Sequence, residues 1–496
     1  MKLLQLIKIL DNHSGLRLSD FEVKGISCNS KAVKDNFIFV AIKGAKEDGN
    51  KFIQEAIDKG ARVIIVKSQS HEVGAQASPK GTKSQGNVNF IEVKDTRKVL
   101  AKLATEFYGK PSSKIKVIGI TGTNGKTTIT YLIEALLKKA NFQPAVIGTI
   151  NYRFKNKIIP SKNTTPGPVE LQSLLAQMFK AGVDYAIMEV SSHALDQDRI
   201  EGIRFHSSIF TNLTQDHLDY HKTLENYFKT KAKLFKNLAS NSVAIINNDD
   251  KYGRRLKDLT KAGIVTYGIQ NKADIMASDI KFGCQSSEFL LSTPKLKINL
   301  NTRLIGRYNI YNILAAAAWA RNEGIDMATI KSVVEELSTV PGRLERITSG
   351  ASFSVFVDYA HTEDALKNTI NSLRNLSKNR IIVVFGCGGE RDKTKRPKMG
   401  RIVSELSDYA VITTDNPRSE DPQEIIKDIK RGIKKNNYCV ILERIDAIRK
   451  SLMLANPGDI VLIAGKGHEN YQILKDRVTH FDDREAVREC LQSMNY

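Results

Sequence analysis

The stretch KVIGITGTNGKTTITYLIEALLKK, residues 116–139, decides the fold. Its first part, KVIGI, is an apolar run of strand length. Its last part places Ile129, Leu132, Ile133, Leu136 and Leu137 at helical spacing. Between them lies GTNGKTT, residues 122–128. A glycine-rich turn from strand to helix aims backbone amides and the positive end of the helix at one point, which suits a phosphate. Gly122, Thr123, Asn124, Gly125, Lys126, Thr127 and Thr128 are therefore expected to cradle ATP. Lys126 would bridge the β and γ phosphates, and the Thr127 hydroxyl would reach magnesium. The match to G-x-x-x-x-G-K-[ST] is incomplete, because Ile120 occupies the first glycine position. The bland alternative is a tight strand-helix turn.

Working outward, the same alternation recurs. FIFVAIKG and ARVIIVKS read as strands in the first hundred residues. YAIMEV, SIFTNLT and VAIINND follow the phosphate loop, and SVFVDYA, IIVVFG, YAVITT and DIVLIAG follow VPGR at 340–343. Strands alternating with helices imply α/β architecture with parallel sheets. A length of 496 residues suggests about three domains. We expect a small N-terminal α/β domain over 1–108, a central P-loop ATPase-like domain with a mostly parallel sheet over 109–339, and a C-terminal Rossmann-like α/β domain over 340–496. Ligands of open parallel sheets bind beyond the carboxyl ends of the strands. Here those ends run into polar segments: EVSSH, TQDH, DYAH, CGGERDK, DNPR and GKGHE.

Composition is that of a globular chain, 41% apolar and 26% charged, with apolar runs far shorter than the ~20 residues of a membrane helix. At the N-terminus, MKLLQLIKIL reads as a small amphipathic helix with Leu3, Leu4, Ile7 and Leu10 on one stripe. The polar run from Ser68 to Asn87 reads as a mobile surface loop. Five scattered cysteines without a C-x-x-C pair fit a reducing cytoplasm rather than a disulfide framework. The formal net charge of +21 comes without a basic arm, zinc finger or RNA-binding aromatic signature, and reads as a lysine-rich surface.

ITGTNGKTT, NTTP (163–166), MEVSSHALDQDR (188–199), NLTQDHLDYH (212–221), TKAKLF (230–235), GRYNIYN (306–312), VPGRLE (340–345), DYAHTEDAL (358–366), GCGGERDKTKRP (386–397), DNPR and AGKGHE together resemble the Mur ligases. The likeness is strongest to the member that adds the third amino acid of the peptidoglycan stem. The resemblance implies a monomeric cytoplasmic enzyme that takes small molecules, neither binding nucleic acid nor inserting in a membrane. It would spend ATP to phosphorylate the D-glutamyl carboxylate of UDP-N-acetylmuramoyl-L-alanyl-D-glutamate, and an amine would then attack the acyl phosphate. It assigns Glu189, His217 and Lys231 to catalysis with Lys126. Magnesium would be held by Thr127, Glu189, His217 and Lys231, the last as a carbamate derived from carbon dioxide. Asn309, Arg343 and Asp358 would complete the ATP site. Ser30, Ala45, Lys46, Glu47, Asn163, Thr164, Thr165, Ser191, Gln197 and Arg199 would hold the UDP-muramoyl-dipeptide. Two departures stand out near the uridine end, where Asn29 and Lys31 replace the family's Asp and Arg. A third is Glu363, where proline is usual.

An arginine fork pairs bidentately with a carboxylate. Family members carrying DNPR take meso-diaminopimelate, which differs from lysine by a second carboxylate. The resemblance thus gives Arg418 that carboxylate, and gives the same pocket Arg391, Asp415, Asn416, Pro417, Gly465 and Glu469. The bland alternative is that Arg418 caps a turn or pairs at the surface with Glu420 or Asp421. Other readings are the same ligase using L-lysine, or a nucleic-acid-binding P-loop NTPase.

Overall fold

The computed structural model describes residues 1–10, 19–44, 47–68, 84–85, 88–283, 285–347 and 350–494. The chain forms two compact units. One comprises Met1–Gly119, Phe142–Ser208 and Lys236–Ser242; the other comprises Ile120–Asn141, Ile209–Phe235 and Val243–Tyr496.

In the first unit, a five-stranded sheet has the order Gly25–Ser27, Phe37–Val40, Ala61–Lys67, Val88–Val93, Ser84–Gln85. Every pair is parallel except the last. The N-terminal helix spans Leu3–Ile7 and buries Leu3, Leu6 and Ile7 against Phe21, Val23, Leu100 and Leu103. The stripe differs from expectation at one place, since Leu4 is 41% exposed and Leu6 takes its place in the core. Five residues are too few for helical periodicity to fix a face. The expected loop at 68–87 falls mostly outside the described residues, apart from the strand Ser84–Gln85.

Eleven strands form the central sheet, in the order Lys297–Thr302, Ser287–Ser292, Ile275–Phe282, Gly263–Gly268, Val243–Asn247, Phe205–Phe210, Lys116–Thr121, Tyr185–Glu189, Pro144–Ile147, Asn151–Phe154, Lys157–Pro160. Tyr185–Glu189 runs parallel to Pro144–Ile147, and Val243–Asn247 parallel to Gly263–Gly268. Antiparallel strands close both ends. These outer strands escaped the sequence reading because KINLNT and NYRF mix polar and apolar residues, as half-solvated strands do.

The last sheet, wholly in the second unit, has the order Glu345–Ile347, Ser354–Asp358, Ile460–Ala464, Ile381–Phe385, Tyr409–Ile412, Tyr438–Val440, parallel after its first pair. Side chains alternate between two cores: Val383, Phe385 and Leu462 pack into one, and Ile382, Val384, Val461 and Ile463 into the other. Both faces are covered, which is why these strands read as continuous apolar runs. The polar segments after each strand are thereby gathered at one end of the sheet.

Candidate functional site

The strand Lys116–Thr121 delivers the chain to Gly122, and the helix Lys126–Lys139 begins after Gly125. Gly122 has φ +149° and a Cβ there would lie 1.9 Å from Thr211 Oγ1; Gly125 has φ +90° and a Cβ there would lie 2.3 Å from Asn312 Oδ1. Only glycine fits either place. Ile120, at the missing first glycine, is a fully buried strand residue. Neighbouring backbone shapes the loop, with Thr123 N donating to Asn212 O at 2.8 Å and Thr211 Oγ1 to Asn124 O at 2.6 Å. Lys126 Nζ donates to Gly122 O (2.9 Å) and Thr123 O (2.8 Å), folding back over the loop. Thr128 is buried behind it.

Lys231, on the helix Leu224–Lys236, is 1% exposed. Its Nζ donates to Gly122 O at 2.9 Å, lies 3.4 Å from Thr121 Oγ1 and sits 4.6 Å over the Tyr227 ring. Burial, then the Lys126 ammonium, pushes its pKa well below the usual lysine value, with Asp216 opposing. Asp216 is held below the usual carboxylate range: burial raises it, but His217, His361 and Lys126 outweigh that. His217 Nε2 lies 3.5 Å from Asp216 Oδ2, on a backbone with φ +53°. Among the described residues no three His, Cys, Asp or Glu side chains gather as a metal cluster.

Arg343 Nη2 donates to Thr127 Oγ1 at 3.0 Å, and its guanidinium lies 4.8 Å over the Tyr359 ring. Asp358 accepts from Leu344 N (2.6 Å), Ala360 N (2.9 Å) and Thr369 Oγ1 (3.3 Å); burial nonetheless raises its pKa, with Arg343 opposing. Asn309 is buried, its Nδ2 donating to Ile305 O at 2.8 Å and its Oδ1 accepting from Asn312 Nδ2 at 3.0 Å. Two residues beside these were not foreseen. Asp364 accepts from Asn124 Nδ2 (3.3 Å) and Thr214 Oγ1 (2.8 Å), and His361 Nδ1 lies 2.8 Å from Tyr359 O.

The carboxyl ends of the last sheet bring the DNPR group together. Arg418, at φ +54°, donates through Nη1 to Gly389 O (2.8 Å) and Asn416 O (3.3 Å). Of the bland alternative, the ion pair does not form, since Glu420 pairs with Arg396 and Lys393 and Asp421 caps the helix Pro422–Lys430, whereas turn capping does, through the two carbonyls that Nη1 reaches. Asn416 Nδ2 donates to Glu469 Oε2 at 2.9 Å, and Lys466 Nζ to Asn416 Oδ1 at 3.1 Å. Burial raises the pKa of Glu469, as does Asp415; Asp415 itself is lowered, its burial outweighed by Lys466 and Arg444. A Cβ at Gly465 would lie 2.8 Å from Asp415 Oδ2, and one at Gly389 would lie 1.9 Å from Pro417 O. Arg391 is exposed, and its Cγ and Arg418 Nη1 both border Gly388.

The first unit assembles the dipeptide residues around Glu189. Its carboxylate, 1% exposed, accepts from Thr149 N (3.0 Å) and Thr149 Oγ1 (2.9 Å), and Thr149 Oγ1 is 3.1 Å from Thr164 Oγ1. Thr165 Oγ1 donates to Glu189 O (2.7 Å) and accepts from Ser191 N (3.0 Å). Arg199 donates to Thr165 O at 2.9 Å and to Gln197 Oε1 at 2.7 Å, while Asn163 O accepts from Tyr152 OH at 2.6 Å. Thr149 and Tyr152 were missed, as neither stands in a recognisable motif. Ser30 donates to Glu55 Oε2 at 2.6 Å, Glu47 is exposed, and Ala45 and Lys46 lie outside the described residues. Asn29 accepts from Lys31 N at 3.0 Å, a capping role that Asp would also fill.

Known proteins resemble the chain over nearly its whole length. Residues 22–108 match the Mur ligase family catalytic domain, 120–320 the Mur ligase middle domain, and 342–467 the Mur ligase glutamate ligase domain. The UDP-N-acetylmuramoyl-L-alanyl-D-glutamate–2,6-diaminopimelate ligase of Clostridium botulinum is 45% identical, over 100% of both chains. A ligase of the same name from Clostridium acetobutylicum is 46% identical over 95% of each. A solved structure of a ligase of that name superposes with a TM-score of 0.65 at 32% identity, covering 95% of each chain. The MurF ligase of Thermotoga maritima in complex with ADP shares the fold, with a TM-score of 0.62 at 21% identity over 95% of this chain and 97% of that one. On its sequence, its three-domain α/β architecture and these relatives, the chain belongs to the Mur ligase family.

Proposed function

We propose that this protein is the ATP-dependent ligase that joins meso-2,6-diaminopimelate to UDP-N-acetylmuramoyl-L-alanyl-D-glutamate in peptidoglycan precursor synthesis. The observation that carries the choice of amine is Arg418. Among the described residues it pairs with no carboxylate, donating instead to the carbonyls of Gly389 and Asn416 beside Asn416, Asp415 and Glu469. A second carboxylate on the substrate is the partner its fork lacks, and Glu469 suits the distal ammonium. Relatives 40–46% identical over nearly the full length carry the diaminopimelate ligase name.

The reaction needs two steps. Transfer of the γ-phosphoryl group of ATP to the D-glutamyl carboxylate releases ADP and leaves an acyl phosphate. The amine then attacks the acyl carbon, phosphate departs, and the amine nitrogen loses a proton. In the first step two anions meet, so cationic positioning supplies most of the catalysis. The Gly122–Thr128 amides and Lys126 would hold the phosphates. Arg343, already on Thr127, adds charge at the same point. Asp358 fixes the Arg343–Leu344 turn through Leu344 N. Asn309 organises the start of its helix on the adenine side.

The oxygen-donor chemistry of Thr127 and Glu189 fits magnesium, and the resemblance adds His217 and Lys231 as its carbamate. Magnesium, when bound, supplies charge neutralisation between phosphate and carboxylate. Lys231 fits its assigned modification, because its low pKa favours the neutral amine that adds to carbon dioxide. The muramoyl-dipeptide is assigned to Asn163, Thr164, Thr165, Ser191, Gln197 and Arg199, and its nucleotide end to Ser30 and Glu47. Domain limits at 1–108, 109–339 and 340–496, a monomeric state and a cytoplasmic location complete the reading.

The test is phosphate release with ATP, magnesium and the UDP-dipeptide, comparing meso-diaminopimelate with L-lysine. Diaminopimelate is expected to be preferred, and Arg418→Ala to cut its kcat/KM by about 10- to 100-fold, the worth of a charged hydrogen bond. A preference for lysine would overturn the role of Arg418.

A further inference from the structure

Two loops carry the arginines of the amine pocket, and both are held in unfavourable backbone. Glu390 has φ +52° and Arg418 φ +54°, left-handed values that a non-glycine residue keeps only when its surroundings impose them. The imposing contacts are laced between the loops. Gly389 N donates to Asn416 O at 2.9 Å, and Arg418 Nη1 donates to Gly389 O at 2.8 Å. Glu390 N donates to Glu420 Oε1, and Ser419 Oγ to Glu390 Oε1. Gly389 packs so tightly on Pro417 O that no side chain fits.

Behind the lacing is a buried cation absent from the functional assignments above. Arg396, on the helix Lys395–Leu406, is 1% exposed. Its Nη2 donates to both carboxylate oxygens of Glu420, at 3.0 and 2.9 Å, and lies 3.4 Å from Gly388 O; its Nη1 donates to Asp428 Oδ2 at 3.0 Å. Asp428 anchors the guanidinium to the helix Pro422–Lys430. Those helices also pack through Met399, Val403, Ile425 and Ile429 and through the close approach of Gly400 to Ile429 O, none of which involves Glu420. The second carboxylate, Glu420, sits in the Arg418 loop and reaches across to the Glu390 amide beside Arg391.

We propose that Arg396 is a positioning residue for amine selection: it fixes Glu420, and through Glu420 keeps Arg391 and Arg418 side by side around Gly388. This rests on the reading of Arg418 as partner of the distal carboxylate. Arg396 touches no substrate. Its planar fork matters because two separate nitrogens meet Asp428 and Glu420 in fixed directions, a spacing that the one nitrogen of lysine does not reproduce.

Full-length wild type, Glu420→Gln and Arg396→Lys are compared by steady-state kinetics with meso-diaminopimelate and with L-lysine, and by hydrogen exchange over residues 386–394 and 415–421. Glu420 is partly exposed, so its amide variant keeps the fold even if Arg396→Lys does not. The KM for diaminopimelate is expected to rise about 10-fold or more in both variants, the effect of a slightly misplaced binding group. The KM for ATP and the parameters for lysine should stay unchanged, and exchange in both segments should rise. Equal losses with the two amines would mark a general structural role and overturn the proposal, as would unchanged exchange. If wild type itself does not prefer diaminopimelate, the reading of Arg418 fails, while exchange still decides whether Arg396 and Glu420 clasp the loops.

Discussion

Two buried cations in the second unit have opposite surroundings. Arg444 is fully enclosed and meets Asp483 in a two-pronged pair, Nε to Oδ1 and Nη2 to Oδ2 at 2.7 Å each, with carbonyls of Thr414 and Ala464 taking its remaining donors. Lys231 is buried to the same degree, yet its partners are the Gly122 carbonyl, the Thr121 hydroxyl and the Tyr227 ring. Charge is favoured where a carboxylate satisfies it directly and disfavoured where burial and the Lys126 ammonium outweigh the more distant Asp216. Arg444 thus holds the Thr414 and Ala464 strand ends together, and Lys231 is a buried amine beside the phosphate loop whose charged form its surroundings disfavour.

The largest effect that can break this contrast is at Lys231. Lys231→Arg restores a permanent cation that cannot be neutralised or carbamylated, and kcat should fall by about 10²- to 10³-fold, the usual cost of losing one preorganised charge. Wild-type activity should also fall in buffers stripped of carbon dioxide and return on adding bicarbonate, whereas Lys231→Arg should not respond. A variant that keeps wild-type kcat would make Lys231 as structural as Arg444.

Arg444→Met tests the other side. Removing the guanidinium leaves Asp483 charged and buried, which should cost about 3–5 kcal/mol in urea unfolding. Replacing both partners, Arg444→Met with Asp483→Leu, should recover most of that loss. The double variant separates the pair's net value from the penalty of an orphaned charge.

His361 adds a third case, a base kept neutral. Burial, then the Lys395 ammonium, pushes its pKa down to about 4, against the opposing Asp216. The unfolded chain takes up this proton near pH 6.5 and the native one only near 4. The contribution is therefore complete above about pH 6.5 and is lost as pH falls toward 4. His361→Asn should flatten that dependence by about 2–3 kcal/mol, read as unfolding free energy from pH 4.5 to 7.5.

The sequence reading was most specific where one strand and its following loop carry the whole message. GTNGKTT and DNPR are local, and Gly122 and Gly125 take the positive φ that glycine permits, whereas Arg418 holds φ +54° against the preference of its residue type. It failed where a contact joins distant segments. Asp364 meets Asn124 across 240 positions, Thr149 meets Glu189 across 40, and Arg396 meets Glu420 across 24. Nothing in local pattern distinguishes such residues from solvated polar ones. The same limit explains Leu6, whose burial depends on Phe21 and Leu103 rather than on its five-residue helix.

The smallest effect concerns Glu363, the position at which the sequence resemblance leads to an expectation of proline. It is the first residue of the helix Glu363–Arg374, after the Thr362 cap, and pairs with Arg401 at 2.8 Å. That pair is nearly half exposed on the arginine side, so it contributes less than about 1 kcal/mol. Proline at a first helical position loses no hydrogen bond and already has the required φ, which removes conformations from the unfolded chain. The two terms are similar in size and opposite in sign. Glu363→Pro should shift unfolding free energy by no more than about 0.5 kcal/mol and leave kcat and both amine KM values unchanged. A larger loss would mean that this exposed pair behaves like the buried one at Arg444, and that burial is not what separates them.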